Sequence, residues 1–370
     1  MSSERGQRDR ADAAGSGPAL SYARSGVDIE AAEATVSRYA ELAARTRRPE
    51  VLADIGPFAG LFRLPGGLQD PVLVASTDSV GTKLLVAAAV GRYDTVGRDL
   101  GNHCVNDVLT AGAEPLFVLD YIATSDLAQD HRVELVAGVA AACEENGAAL
   151  LGGETADLPG IYLPGAFDLV GTAVGVVERE AVVDGSRVGA GDQLLALPSS
   201  GLQTNGYSLV RRIWGIGEDA ARDRTLLEAH DPELGCSLGD ALLAVHGSFL
   251  EALRPLLGRP GGPLHGIAHI TGGGVPGNLS RIVPDGLQAR VDLASWRPPA
   301  LFGLIRRQGE LPREEMWRVF NMGVGLVLAV EAAEAEALLR EVEGSWRLGE
   351  VAPRAQGEAP VVLGRPAAGG

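Results

Sequence analysis

PVLVASTDSVGTKL, residues 71–84, carries the reading of the fold. Its first half, 71–77, is an apolar run that reads as a buried strand, and it delivers Asp78 to its end. Gly81 then permits a tight turn, and Lys83 falls just inside the start of a helix. Strands and helices go on alternating downstream, and a helix lies upstream. Downstream, the pattern predicts a helix over about 94–111, a strand over 116–122 (LFVLDYI) and a helix over 130–146. A short strand over 148–151 should then run into the glycine-rich GGETADLPG, and 167–177 alternates like a strand and closes this half. Upstream, Ile29, Ala32, Val36, Tyr39 and Ala43 recur at helical spacing behind a capping Asp28, which predicts a helix over 28–45.

DGSRVGAGD, residues 184–192, is the best candidate for a domain junction. Beyond it the pattern starts afresh. A strand is expected over 193–197, followed by the polar loop SSGLQTNGYS, which opens a helix at about Tyr207. A helical region should extend to Leu257, where LGRPGGP ends it. Another strand is expected over 265–270, a glycine loop over 271–274 leading into a helix, a strand over 324–330 and a helix over 331–342, with a frayed end. Strands and helices alternate in both halves, so the class is α/β (α+β) in two domains. The expected bounds are a disordered tail at 1–20, an N-terminal domain at 21–183 and a C-terminal domain at 192–358. A chain of 370 residues exceeds what one core usually serves, which agrees with that division.

Composition excludes several function classes. Apolar residues make up 46% and charged residues 22%, ordinary for a soluble globular protein. The net charge of −16 would repel nucleic acid and anionic membrane, so neither is expected as a partner. Anionic small molecules then need a site that is locally basic, rich in N–H groups or bridged by a metal. Cys104, Cys143 and Cys236 form no CxxC pair, which suits a reducing, cytoplasmic setting without a disulfide framework. No apolar run approaches the length of a membrane span, and the first twenty residues lack the apolar core of a signal peptide.

Polar residues gather at three places. Around Ser76 to Lys83, a carboxylate, helix-start N–H groups and a cation together suit a polyphosphate, although the Walker A spacing is absent. The plain alternative is that Asp78 only caps the following helix. Next, Asp99, His103, Asn106 and Asp107 fall on one side of a helix that is otherwise apolar, and Asp120 follows in an apolar strand. Buried Asn and Asp side chains are costly unless paired or metal-bound, and oxygen donors favour Mg²⁺ over zinc. A purely structural hydrogen-bond network is the alternative there. The third place is a set of glycine loops: Gly152-Gly153-Glu154-Thr155, Asn205-Gly206-Tyr207 and His269-Ile270-Thr271-Gly272-Gly273-Gly274. Consecutive glycines let backbone N–H groups approach a phosphate, and His269 suits acid–base chemistry near neutral pH. Tight connections and a satisfied structural histidine would look the same.

Taken together, these segments resemble the phosphoribosylformylglycinamidine cyclo-ligase (aminoimidazole ribonucleotide synthetase) family. The resemblance runs through SGVDIEAAE (25–33), TRRPEV (46–51), TDSVGTKL (77–84), DTVGRDL (94–100) and CVNDVLTAGAEPLFVLDY (104–121). It continues through LLGGETADLPG (150–160), TNGYSLVR (204–211), HITGGG (269–274) and MWRVFNMGVGL (316–326). It implies a two-domain fold of that kind, with N-terminal sheets pairing across a homodimer. It also implies an ATP-dependent ring closure of formylglycinamidine ribonucleotide to 5-aminoimidazole ribonucleotide, releasing ADP and phosphate. ATP would phosphorylate the amide-like oxygen, because oxide is a poor leaving group, and an amidine nitrogen would then displace phosphate.

By that resemblance, Asp78, Gly81, Thr82, Lys83, Asn106 and Asp107 would meet ATP, with Asp78 and Asp107 holding Mg²⁺. Lys83, His269 and Glu154 would be catalytic, and Asn205, Thr271, Gly272, Gly273 and Gly274 would bind the substrate. The chain departs from the family pattern at Ala40, where a lysine is usual, and at Gln203, where a histidine is usual. Val245-His246-Gly247 also replaces a common Pro-Thr-Arg. These departures sustain a competing reading, a degenerate paralogue that binds nucleotide or a partner without turnover. Other ATP-using enzymes share the two-domain plan, among them selenophosphate synthetase and thiamine-phosphate kinase, but the segments in this order favour the cyclo-ligase.

Overall fold

A computed structural model describes residues 29–364; Asp28 and the 1–20 tail lie outside them. The N-terminal half runs α1 (Ile29–Arg45), β1 (Pro71–Ser79), α2 (Lys83–Val90), α3 (Asp94–Leu109), β2 (Glu114–Thr124), α4 (Gln129–Asn146), β3 (Ala149–Asp157) and β4 (Phe167–Glu178). Its sheet has the order β1-β4-β2-β3, antiparallel except for the parallel β2–β3 pair. Helices α3 and α4 cover one face. They approach so closely that a side chain at Gly97 would strike the Leu135 carbonyl, and one at Gly138 the Asp94 carbonyl. That closeness lets α3 sink between sheet and partner helix, with most of its residues buried.

The other face of the sheet is largely open among the described residues, although Phe62 packs against Phe117 at one end of it. Successive side chains of a strand point to opposite faces, so Leu73, Ala75 and Thr77 share the outer face with Val170, Thr172 and Val174, and with Leu119 and Tyr121. Leu73 is 58% exposed, and Leu119 and Tyr121 are 36% exposed. The run 71–77, read as a buried strand, is therefore an edge strand buried on one side only. The glycine-rich 152–157 segment, expected to be a loop, continues β3, because each of its residues pairs with β2 from Leu119 to Thr124.

The C-terminal half comprises β5 (Gln193–Pro198), α5 (Tyr207–Trp214), α6 (Ala220–Glu228), a small hairpin of β6 (His230–Asp231) and β7 (Cys236–Ser237), α7 (Leu238–Leu242) and α8 (Leu250–Leu253). It continues with β8 (Leu264–His269), α9 (Gly274–Leu279), β9 (Leu287–Asp292), α10 (Ala300–Gln308), α11 (Arg313–Val319), β10 (Val324–Val330), α12 (Ala335–Glu341), β11 (Trp346–Pro353) and β12 (Val361–Gly364). Its six-stranded sheet has the order β12-β9-β11-β5-β10-β8. The fully buried β10 lies between β5 and β8, with apolar clusters on both faces. The expected helical run to Leu257 is broken by the β6–β7 hairpin. Residues 346–353 and 361–364 pair as β11 and β12, which extends the second sheet to Gly364; the last residues, expected to fray, lie outside the described ones.

Candidate active site

Helix α3 is the junction of the two halves. Asn106 clamps the C-terminal half from it: its amide donates to the Gly247 carbonyl at 2.9 Å, and its oxygen accepts from the Phe249 N–H at 2.9 Å. One turn earlier, Asn102 donates to the His246 carbonyl at 2.8 Å, and Asp99 accepts from the His246 N–H at 2.6 Å. Asn106 thus spends its polar atoms on the fold. These bonds bring the 245–249 segment, β8 and the loop before α5 against the end of β1.

Three histidines meet there, their ring centroids 5.1–5.2 Å apart: His103 from α3, His246, and His269 from the end of β8. Asp107 Oδ1 lies 2.8 Å from His269 Nδ1, and Asp107 Oδ2 accepts from the Ser76 hydroxyl at 2.9 Å. Asp78 Oδ2 and Asp107 Oδ2 lie 2.9 and 3.9 Å from the same nitrogen, His103 Nε2. The first contact is close enough for an ion pair but is not aligned as a hydrogen bond. Asp78 and Asp107 thus stand side by side around His103, and carboxylate oxygens are the donors a hard divalent cation takes, so the chemistry of the pair fits Mg²⁺. Asp107 also has protein partners in Ser76, His103 and His269, so the paired alternative accounts for its burial in the ligand-free chain.

Electrostatics follow from this crowding. Burial works to raise the Asp78 and Asp107 carboxyls, but their histidine contacts outweigh it and hold both below the usual range. For His103, burial works downward and the contact with Asp78 and the Asp107 charge win, raising it. Burial pushes His246 well below its ordinary value, and His269, His103 and Lys83 beside it push the same way. His269 is also lowered, because burial outweighs its bond to Asp107.

Lys83 does not face this cluster through open space. It is wholly buried, its ammonium 2.6 Å from Asp99 Oδ2 and donating to the Gln203 and Ala244 carbonyls at 3.1 and 2.8 Å. Burial drives the lysine down and Asp99 up, while their mutual attraction opposes both shifts. Gln203, the departure from the family pattern, is 1% exposed and held at a positive φ of 62°. Thr82 at the preceding turn reaches Ser208, 3.1 Å between hydroxyls, so the Gly81-Thr82 turn touches the start of α5.

The triple-glycine turn lies beside the cluster, directly after His269. Gly274, with φ of 60°, has no room for a Cβ, which would stand 2.1 Å from the Trp317 carbonyl. A Cβ on Gly272 would be 3.1 Å from Asn205 Oδ1, so Asn205 and this turn are neighbours. Thr271 is tied to Asn278 through its hydroxyl, 3.2 Å. An open cleft of about 960 Å³ adjoins Gly273 and is lined by Pro276, Arg313, Trp317 and Arg318.

Glu154 is not brought to the histidines. Its register opposite Tyr121 puts it on the outer face of the sheet, whereas Asp78 and Asp120, both opposite Gly171, share the inner face. Glu154 borders a pocket of about 230 Å³ at the β3 edge, together with Tyr39, Asp120, Arg132 and Asp157. Burial raises Asp120 there to about 7. Sequence reasoning gave Ser76, Thr204 and His246 no role of their own. The spacing of His103 and Asp107, four apart on a helix, was a local signal that the two share a face.

Comparison with known proteins bears on this geometry. The family model "AIR synthase related protein, N-terminal domain" matches residues 59–177, and "AIR synthase related protein, C-terminal domain" matches 189–362. The chain is 51% identical over 340 residues to the phosphoribosylformylglycinamidine cyclo-ligase of Sorangium cellulosum (strain So ce56), covering 90% of this chain and 95% of that protein. It is 48% identical over 347 residues to the phosphoribosylformylglycinamidine cyclo-ligase of Myxococcus xanthus (strain DK1622), covering 92% and 98%. Among solved structures, the hydrogenase maturation protein HypE in complex with ATP matches with a TM-score of 0.61 at 20% identity, covering 87% of this chain and 88% of that one. Thiamine-monophosphate kinase from Stenotrophomonas maltophilia K279a matches with a TM-score of 0.60 at 23% identity, covering 88% and 96%. At these identities the structural likeness shows the two-domain α/β fold alone.

Proposed function

Because the chain belongs to the phosphoribosylformylglycinamidine cyclo-ligase family, we propose that it works where α3 meets the loops of the C-terminal half, closing the imidazole ring of 5-aminoimidazole ribonucleotide. The enzyme is a cyclo-ligase of purine biosynthesis. Its substrates are formylglycinamidine ribonucleotide and ATP. The observation that carries the placement is the convergence of Asp78 and Asp107 on one buried nitrogen.

Asp78 and Asp107 would hold Mg²⁺, which supplies neutralisation of the triphosphate charge. The Gly81-Thr82 turn, at the start of α2, offers backbone N–H groups to phosphate oxygens. Gly272, Gly273 and Gly274, with Asn205 beside them, offer a second set to the ribonucleotide. Lys83 and His269 act by positioning, since the ammonium and both ring nitrogens are engaged inside the protein. Glu154 would serve whatever part of the ligands reaches over the β3 edge. The largely open apolar sheet face supports a homodimer in which two such faces meet.

The test is turnover of purified protein with formylglycinamidine ribonucleotide, ATP and Mg²⁺, following ADP and the aminoimidazole product together. Product formed in step with ADP is the expected result. Nucleotide binding with neither product would transfer the chain to the non-catalytic class.

A further inference from the structure

We propose that His246, acting with Thr204, is a positioning residue: it locks the His269 imidazole in one tautomer against Asp107 and links it to His103 across the two halves. The donor count fixes the direction of the chain of bonds. Ionised Asp107 only accepts, so the proton between it and His269 Nδ1, 2.8 Å apart, belongs to the ring. A neutral His269 then carries a lone pair on Nε2. That atom lies 3.0 Å from His246 Nε2, so His246 must donate there. His246 Nδ1 is left as the acceptor, and the Thr204 hydroxyl lies 3.5 Å away, a long contact. The Thr204 oxygen in turn lies 2.7 Å from His103 Nδ1, and a donation from that nitrogen would leave the hydroxyl's own proton for His246. Every donor in the series then meets an acceptor.

The rest of the fold supports this bridge. His246 is fully buried, and its backbone is fastened at both polar atoms to Asp99 and Asn102 of α3. Its ring is therefore set by the same helix that carries His103 and Asp107. His246 also stands in the segment where the resembling family commonly has Pro-Thr-Arg, so the bridge is a property of this chain's own residues. Without the His246 donor, His269 Nε2 is a buried acceptor with no partner. The ring then gains by turning over or by moving its proton to Nε2, and either change releases the Asp107 carboxylate.

The catalytic consequence rests on Asp107 serving the nucleotide end, as proposed above, but the tautomers do not. The experiment uses the full chain labelled with ¹⁵N-histidine, six residues in all, and long-range ¹H–¹⁵N correlation spectra. Wild-type His269 should be protonated at Nδ1 and bare at Nε2, and His246 the reverse. In His246→Ala the His269 tautomer should mix or invert, and kcat should fall about 10- to 100-fold with KM changed much less. His246→Gln keeps an N–H donor at that end and should restore the tautomer and most of kcat; it carries the test if the alanine variant fails to fold. Wild-type His269 protonated at Nε2 overturns the bridge. So does an alanine variant with unchanged tautomer. A changed tautomer with undiminished kcat overturns the positioning role and leaves the proposed function standing. A wild-type protein without turnover defeats the proposed function, while the spectra still decide the bridge.

Discussion

Asp107 and His269 meet at 2.8 Å, and that contact joins the buried helix α3 to the strand that precedes the triple-glycine turn. The carboxylate is thus part of the fold as well as a candidate metal ligand, and the two roles make different demands on it. A metal ligand that stood bare in the free protein would be a burden on stability. One already held by Ser76 and two histidines contributes to it.

Asp107→Asn should therefore lower the melting temperature of the ligand-free protein, by about 1–3 kcal/mol of stability, as well as removing most turnover. The carboxyl is held below its usual range when folded, so its contribution is present above the unfolded value of about 4 and is lost as pH falls through the folded value. The difference between wild type and variant should accordingly close in acid. Thermal melts from pH 3 to 8 measure this. A variant more stable than wild type at neutral pH would mean that the charge is uncompensated after all.

Lys83 separates two readings by a different measurement. If its ammonium serves the fold by pairing with Asp99 at 2.6 Å, Lys83→Met leaves a buried, unpaired carboxylate. Removing one partner of such a pair costs about 3–5 kcal/mol. Adding Asp99→Asn should recover part of that loss. Chemical denaturation of both variants gives the stability, and nucleotide titration of the folded fraction gives the affinity. Normal stability with lost ATP binding in Lys83→Met would return the lysine to the phosphates.

Much of the architecture is legible in the sequence because its signals are local. The strand over 71–77, the helix from Asp94 and the strand over 324–330 are set by periodicity and by the glycines that bound them. Where a strand depends on a distant partner, the local signal fails. Gly152 and Gly153 read as a loop, yet pairing with β2 makes them strand. The C-terminal 346–353 segment becomes a strand through its contact with β5 and β9. The site shows the same division. Asp78, Asp107 and His269 stand out as polar residues at element ends, whereas the role of His246 depends on a nitrogen 23 residues away in sequence. Lys83 beside a helix start suggests a phosphate ligand, and only tertiary structure reveals Asp99 beneath it.

Asp120 offers a pH-dependent test at the second pocket. Burial raises its carboxyl to about 7, against about 4 when unfolded. Between those values the unfolded chain ionises and the folded one does not, so this group costs stability increasingly as pH rises, with the full cost above 7. Asp120→Asn removes the charge without changing shape. It should raise the melting temperature most at pH 8 and little at pH 4 to 5. A gain that is equal across this range, or largest in acid, would contradict the buried, raised carboxyl.

The outer sheet face should be where two copies meet. Leu73 is 58% exposed, and Leu119 and Tyr121, each 36% exposed, lie on the same side of adjoining strands. Each apolar side chain removed from water contributes up to about 1.5–3 kcal/mol when fully buried, so burying this face against a second copy is favoured. Wild-type protein should give twice the monomer mass in light scattering, with a melting temperature that rises with protein concentration. Leu73→Glu puts a charge onto that face without touching the inner core, where α3 packs. It should shift the mass towards monomer and remove the concentration dependence, while the monomer keeps its secondary structure. A wild-type protein that is monomeric and active at assay concentration would rule out the paired face, and a charged variant that remains dimeric would move the interface elsewhere.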